Sequence, residues 1–251
     1  MKISFVVPAY NEELRVGRCL ESIQKEIERT RDPATGQRVE VEVVVVNNAS
    51  TDKTKEIVSG FTGVRVVDEL QKGLVRARKA GYMATTGELV ANVDSDTMLP
   101  PGWLKKVLKE FAQNKKLVAL SGPYIYYDIN AFERALVKLF YFPGWLFDVV
   151  FQALTGKATM LQGGNFVIRR DAWDRAGGFD TTIEFYGEDA DVARRISTQG
   201  KVKWTWELPM YTSGRRFRTE GLLKTGYNYA VNLFVTHLTG RPYSQKYIDT
   251  R

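Results

Sequence analysis

The chain is expected to fold as an α/β protein, with a mostly parallel central sheet flanked by helices and a helical region on its C-terminal side. Two observations predict this. β-branched runs alternate with helical stretches through the first half, and the polar clusters of that half fall directly after strands. Continuous Val/Ile runs mark strands buried on both faces, and strands separated by helices imply βαβ units with right-handed crossovers. In such a sheet, ligands gather outside the carboxyl ends of the strands.

In chain order, "ISFVV" (3–7), "VEVVVV" (41–46), "VRVV" (64–67), "ELVANV" (88–93) and "LVAL" (117–120) read as strands. Helices are expected over about 12–30, 52–59, 72–83 and 102–113, with Asn11 as a cap for the first and Ser50 or Thr51 with Asp52 opening the second. The turn-rich "RTRDPATGQR" (29–38) reads as a surface insertion. "PAYNEE" (8–13), "NNASTD" (47–52) and "DSDT" (94–97) each follow a strand, so all three should meet on one edge. Helix capping alone would explain any one cluster, but it gives no reason for the three to agree.

The second half is less regular. "AFERALVKLFYFPGWLFDVVFQAL" (131–154) is apolar nearly all round, and Pro143-Gly144 is expected to break it into two helices. A bilayer span needs about 20 mainly apolar residues. Lys138, Asp148 and the Pro-Gly pair fall inside that length, so a membrane-crossing helix is not expected. A core helix pair, a homodimer contact and a surface resting on a membrane remain open, the aromatic load favouring more than a core role. "NFVIRR" (165–170) and "KVKWTW" (201–206) look strand-like, and a final amphipathic helix is expected over about 219–237.

The 251 residues carry 44% hydrophobic side chains, enough to bury a full core. Cys19 is the only cysteine, which excludes an intrachain disulfide, and the N-terminus reads as a core strand rather than a leader; a cytoplasmic location is expected. The formal charge is +7, and from Lys201 to Arg251 nine Lys/Arg face three acids, so the positive field belongs to that end. A solvated basic face would account for it, as would a surface facing substrate phosphates or an anionic membrane. No nucleic-acid-binding signature accompanies the charge, and nucleic acid is not expected as a partner.

Asp94 and Asp96 put two carboxylates at a strand end. Like charges there invite a divalent cation, and hard oxygen ligands with few other donors suit Mg²⁺ or Mn²⁺, whose remaining bonds go to water and phosphate oxygens. Alone, such a pair is weak evidence, since aspartates commonly open turns.

"VVPAYNEE", "VVVVNNASTDKT", "ANVDSDTMLPPGWL", "GGNFVIRRDAWDRAGGFD" and "GEDADVARRI" resemble, in order and spacing, the family 2 glycosyltransferases of the GT-A fold. The resemblance runs from about residue 3 to 218. It implies a single GT-A domain over 1–218, with a nucleotide-binding half to about 122 and an acceptor-side half over 123–218, followed by the amphipathic helix and basic tail of 219–251. It also implies that Pro8, Ala9, Tyr10, Asn11 and Glu12 form the first nucleotide-binding loop, that Asn47 and Ala49 lie by the base, and that Lys72, Gly73 and Arg78 pass under the nucleotide. Asn47 stands where the family has an aspartate, and an amide brings a donor and an acceptor but no charge. Asp94, Ser95 and Asp96 match the DxD motif, the two aspartates as ligands of the metal that bridges the donor diphosphate. Gly163, Gly164 and Asn165, with Glu188, match the loop lining the sugar and acceptor pocket, though a tight turn into the next strand explains the glycines equally well.

Inversion at a sugar carbon needs a base to take the acceptor proton. Asp189 matches the family's base, with Glu188 beside it; by itself Asp189 would read as a helix N-terminal charge. Helical register turns Asp191 to another face. The Gln-x-x-Arg-Trp motif of the processive synthases is missing, and His237 reads as structural. Arg215 and Arg216 are candidates for the diphosphate, whose oxygens match guanidinium forks. The expected activity is therefore transfer of a single sugar from a UDP- or GDP-sugar to a glycan or polyprenyl-linked acceptor, with Mg²⁺ or Mn²⁺, at the cytoplasmic membrane face. A nucleotidyltransferase would show a basic Gly-rich loop where "PAYNEE" is acidic. A non-catalytic sugar-nucleotide or polysaccharide-binding module would have no need of Asp189.

Overall fold

The computed structural model describes residues 1–244 and 248–250. A seven-stranded sheet runs in the order β3-β2-β1-β4-β8-β6-β9. Its members are β1 (Ile3–Ala9), β2 (Val41–Asn48), β3 (Val64–Glu69), β4 (Leu89–Val93), β6 (Leu117–Ser121), β8 (Asn165–Arg169) and β9 (Lys201–Trp204). β1 to β4 are mutually parallel, β6 pairs in parallel with β9, and only β8 runs against its neighbours. β1 lies between β2 and β4, so the winding reverses there and opens a crevice at the carboxyl ends of the two inner strands. A small sheet of β5 (Thr97–Met98), β10 (Met210–Thr212) and β7 (Tyr124–Tyr126) stands beside that crevice.

Strand alternation divides the core. Ile3, Phe5 and Val7 of β1 join the layer under α1 (Val16–Arg29) and α4 (Trp103–Gln113). Val6 points the other way, toward the layer built with α3 (Leu74–Met83), α6 (Arg170–Arg175) and α7 (Glu188–Ile196). α2 (Thr54–Ser59) covers the edge by β3. In α1, Val16, Cys19, Leu20 and Ile23 are buried at helical spacing. Glu26 on the same face is also buried, and its carboxylate accepts the N–H groups of Gly102 and Leu104 at 3.1 Å. α4 begins on Gly102 with no side-chain cap of its own, so a carboxylate from α1 serves its N-terminus. Gly81 lets α3 lie close on β1 and β2: any side chain there would collide with Val6.

Two capping and breaking expectations are corrected. Asn11 does not cap α1, which starts at Val16; it sits at φ 50° and its amide oxygen accepts the Thr51 N–H at 2.8 Å, tying two loops together. Pro143-Gly144 does not split its segment, which is one helix, α5 (Ala131–Thr155). A proline inside a helix costs about 3 kcal/mol, but both flanks are anchored. Tyr141 donates to Gln162 at 2.8 Å, and the buried Asp148 accepts the Thr159 N–H at 2.6 Å and the Met160 N–H at 3.1 Å. An Asn130–Glu133 capping box starts the helix. The final helix expected over about 219–237 is α9 (Leu222–Thr239); a short helix, α8 (Arg215–Glu220), precedes it, the two parted by Gly221 at φ 85°.

Of the three readings left open for this segment, the structure excludes the core helix pair. Asp148 is its only buried residue, while Phe132, Leu139, Phe140, Phe142, Leu146, Val150 and Leu154 are exposed. α5 packs along α9, with Phe140 over Gly226, Phe147 against Phe234 and Phe151 against His237, so the two helices run side by side in the same direction. Among the described residues, α5 is the one helix whose length and composition would suffice to cross a membrane.

Candidate active site

The loops after β1, β2 and β4 do emerge together. Asn11 N–H donates to Ser50 Oγ at 3.1 Å, Glu12 N–H to Thr54 Oγ1 at 2.7 Å and Glu13 N–H to Asp52 at 3.0 Å. Ala49, at φ 57°, makes the turn that allows this lacing.

The cleft they border has two parts. One is lined by Pro8, Ala9, Tyr10, Asn48, Lys72 and Gly73. The other is lined by Arg78, Asp94, Asp96, Tyr124, Gly163, Gly164, Glu188, Asp189, Arg215 and Arg216, with Tyr126, Tyr186 and Tyr229 on its far wall. Leu74 and Phe185 border both.

Arg78 organises the second part. Its guanidinium is 1% exposed, lies over the Phe166 ring, and joins Asp94 at 3.0 Å to Glu188. Two glycines make room: a Cβ on Gly163 would stand 2.7 Å from Glu188 Oε1, and one on Gly164 would collide with Asp94 and with the Tyr124 hydroxyl. Tyr124 donates to Asp94 at 3.3 Å. On the other side, Arg215 forks onto the buried Glu12 and reaches Asp96 at 3.1 Å. Asp128 fixes the helix that carries Arg215: its carboxylate takes the Gly214 N–H and accepts from Ser213 Oγ at 2.7 Å.

Burial pushes the Glu188 carboxyl up to about 7, against the pull of Arg78 and helped by the charge of Asp189. Burial also raises Asp189, opposed by the Ala190 N–H that it accepts at 2.9 Å. A carboxyl held above its usual range at a cleft is suited to taking up a proton. Asp191, two residues on, points elsewhere and pairs with Arg194 and Arg195.

Among the described residues, no three His, Cys, Asp or Glu side chains converge as a closed metal cage. Asp94 and Asp96 nevertheless fit Mg²⁺ or Mn²⁺, which take one or two carboxylates and leave the rest of their shell to phosphate and water. The charge balance points the same way. Among the described residues that line this part of the cleft, four carboxylates (Asp94, Asp96, Glu188 and Asp189) stand with two arginines, Arg78 and Arg215, Arg216 being matched by Glu220 at 2.6 Å. A diphosphate entering that excess of negative charge needs a cation. His237 stands apart from the aspartates, its ring 4.6 Å from that of Phe151.

Several expected residues lie outside the cleft, each for a local reason. Asn47 and Asn48 alternate along β2: Asn47 donates to Asp68 at 2.8 Å, and it is Asn48 that lines the cleft. Asn165 is fully buried, its amide donating to the Gly122 and Leu208 carbonyls and accepting from Trp103 Nε1 at 3.0 Å. Ser95 is buried at 2% exposure, and Glu12 acts through Arg215. Lining residues not singled out in the sequence include Asn48, within the "NNASTD" cluster, and the aromatic wall of Tyr124, Tyr126, Phe185, Tyr186, Phe217 and Tyr229; "YIYY" (124–127) hints at the wall only by its density of tyrosine.

Comparisons with known proteins agree with this fold. The chain is 27% identical over 206 residues to a chondroitin synthase of Pasteurella multocida, covering 80% of this chain but 19% of that protein, so it spans about a fifth of that relative's length. Its fold matches a mannosyltransferase from Pyrobaculum calidifontis solved with GDP-Man and Mn²⁺ (TM-score 0.65, 21% identity, 91% of this chain and 64% of that one). It likewise matches glucosyl-3-phosphoglycerate synthase from Mycobacterium tuberculosis solved with Mn²⁺, UDP and phosphoglyceric acid (TM-score 0.61, 20% identity, 97% and 80%). The model of "Glycosyl transferase family 2" matches residues 4–177, well over half of the sequence. With the sheet order, the reversal at β1 and β4, and the paired aspartates at that reversal, this chain belongs to glycosyl transferase family 2 and has the GT-A fold.

Proposed function

We propose that the chain is an inverting, metal-dependent glycosyltransferase that moves one sugar from a UDP- or GDP-sugar to a hydroxyl of a glycan or lipid-linked acceptor. The observation that carries this is the buried Arg78 bridge, which sets a metal-type aspartate, Asp94, and an acid–base pair, Glu188 and Asp189, on one pocket. The nucleotide lies along Pro8–Tyr10, Asn48, Lys72 and Gly73, within residues 1–122, and the acceptor enters from the 123–218 side. Asp94 and Asp96 hold Mg²⁺ or Mn²⁺, which when bound neutralises the diphosphate of the leaving nucleotide.

The acceptor oxygen forms its bond to the anomeric carbon as the bond from that carbon to the phosphate oxygen breaks. Its proton passes to Asp189, and the electron pair leaves with the nucleoside diphosphate. Arg215 exchanges Asp96 for the diphosphate while keeping Glu12, and Arg216 lines the same wall. The tyrosine wall offers ring faces to a sugar.

α9 supplies Tyr229 to the pocket while exposing Leu223, Tyr227 and Leu238. It packs beside α5, whose exposed side chains are also apolar, which supports a lipid-linked acceptor met at the cytoplasmic face of a membrane.

The test is donor turnover with Mn²⁺ and UDP- or GDP-sugars, read as nucleoside diphosphate released, for the unaltered chain and for Asp94→Asn with Asp96→Asn. Metal-dependent release by the first and none by the second is the expected result. Nucleotide binding without any turnover across acceptors would instead favour a binding module.

A further inference from the structure

Residues 248–250 lie on the donor cleft rather than away from it. Asp249 meets the Lys72 ammonium at 2.5 Å, and Thr250 is part of the lining of the pocket that holds Asp94, Asp96 and Asp189. Lys72 is a well-built anchor for an anion. Its ammonium stands 3.9 Å over the Tyr10 ring, and the backbone around it is pinned by Asn48. The Asn48 amide donates to the Glu69 and Gln71 carbonyls at 3.1 and 2.7 Å and accepts the Gly73 N–H at 2.8 Å. These three bonds hold the residues on both sides of Lys72, so the lysine is presented to the cleft whatever sits opposite it. In this structure its counter-ion is a carboxylate of the same chain.

We infer that segment 248–250 is an intramolecular occupant of the donor cleft, in which the Asp249 carboxylate competes with the anionic donor for Lys72. This rests on the donor reading of that cleft given above. A nucleoside diphosphate that reaches Lys72 must displace Asp249, and one extending toward Asp94 and Asp96 enters the pocket that Thr250 helps to line. The contact is partly exposed, with Lys72 and Asp249 retaining 42% and 36% of their side-chain surface. Pairs of that kind contribute little each, so the segment tunes donor affinity rather than blocking it.

The experiment compares UDP and GDP binding by calorimetry, in Mn²⁺, for the full chain, for Asp249→Asn and for a chain lacking residues 248–251, with donor KM and kcat measured on the same proteins. None of these changes touches a residue placed in the catalytic machinery. The expected result is a two- to fivefold tighter Kd and a matching fall in KM in both variants, with kcat unchanged. Equal binding by all three overturns the inference and leaves the donor reading intact. Weaker binding in the variants also overturns it, because the segment would then complete the donor site. Absence of nucleotide binding in all three overturns the donor reading itself and the inference with it.

Discussion

At the scale of single residues, the site is a set of charges whose neighbours decide their roles. Asp189 is held above the usual carboxylate range and stands at the pocket, so Asp189→Asn should lower turnover by about 10²–10⁴-fold while leaving nucleoside diphosphate affinity within twofold; near-normal turnover would remove Asp189 as the base. Glu188 makes a separate prediction through stability. Its folded-state pKa, about 7, lies above the ordinary glutamate value of about 4.3. The folded protein therefore binds more proton than the unfolded chain across that window. The contribution is present below the lower value and is lost as pH rises through the upper one. Melting temperature should fall between about pH 4.5 and 7, and Glu188→Gln should flatten that fall. These charged residues were legible in the sequence because five motifs occur together in order and spacing, whereas any one of them alone would read as a turn or a helix end. Asn48 was not, because alternation along β2 says that residues 47 and 48 face opposite ways without saying which faces the cleft. The aromatic wall was illegible for another reason: it is assembled from four distant elements, and aromatic side chains look the same in a core as at a sugar site.

At the scale of elements, the first half of the fold followed directly from its pattern, since buried parallel strands leave continuous apolar runs that no amphipathic helix would produce. The misreadings share a cause: each local signal was overridden by a tertiary contact. Pro143 marks a break by its missing N–H, but the anchoring of Tyr141 and Asp148 on either side holds α5 in one piece. Asn11 has the residue type of a cap, but Thr51 recruits it. Glu26 shows the converse, a helix-interior acid whose role as the N-terminal cap of a different helix has no signature in sequence. Glu26→Ala would leave the Gly102 and Leu104 N–H groups without their acceptor in a buried place, at a cost of about 1–3 kcal/mol. For a chain of this size that should lower the melting temperature by roughly 2–4 °C per kcal/mol. Glu26→Gln, which keeps one acceptor oxygen, should recover part of the loss, whereas an equal loss in both variants would assign the effect to charge rather than to capping.

At the scale of the whole molecule, the question is what the α5–α9 face meets. The sequence places a strong positive excess after residue 200, which suggests electrostatic attraction to an anionic surface. In the folded protein much of that charge is spent internally: Lys203 pairs with Glu110, Arg215 with Glu12 and Asp96, Arg216 with Glu220, and Arg218 with Asp128. What α5 presents outward is apolar, with Phe132, Leu139 and Leu146 recurring every seven residues on one stripe and Val150 and Leu154 extending it. Binding to a bilayer through this face should therefore depend on side-chain insertion more than on lipid charge, and should change little between low and moderate salt. Each large apolar side chain taken out of water contributes about 1.5–3 kcal/mol at full burial. Replacing Phe132, Leu139 and Leu146 together by Ser should then reduce co-sedimentation with phosphatidylcholine vesicles by about tenfold or more. Donor turnover on a soluble acceptor should stay unchanged, because none of the three lines the cleft. If the unaltered chain instead ignores vesicles and sediments as a dimer that these substitutions dissociate, the face is a contact between two copies. If binding appears only with anionic lipid and vanishes with salt, the few basic residues on and beside α5, Arg134, Lys138 and Lys224, carry the attraction and the apolar stripe does not.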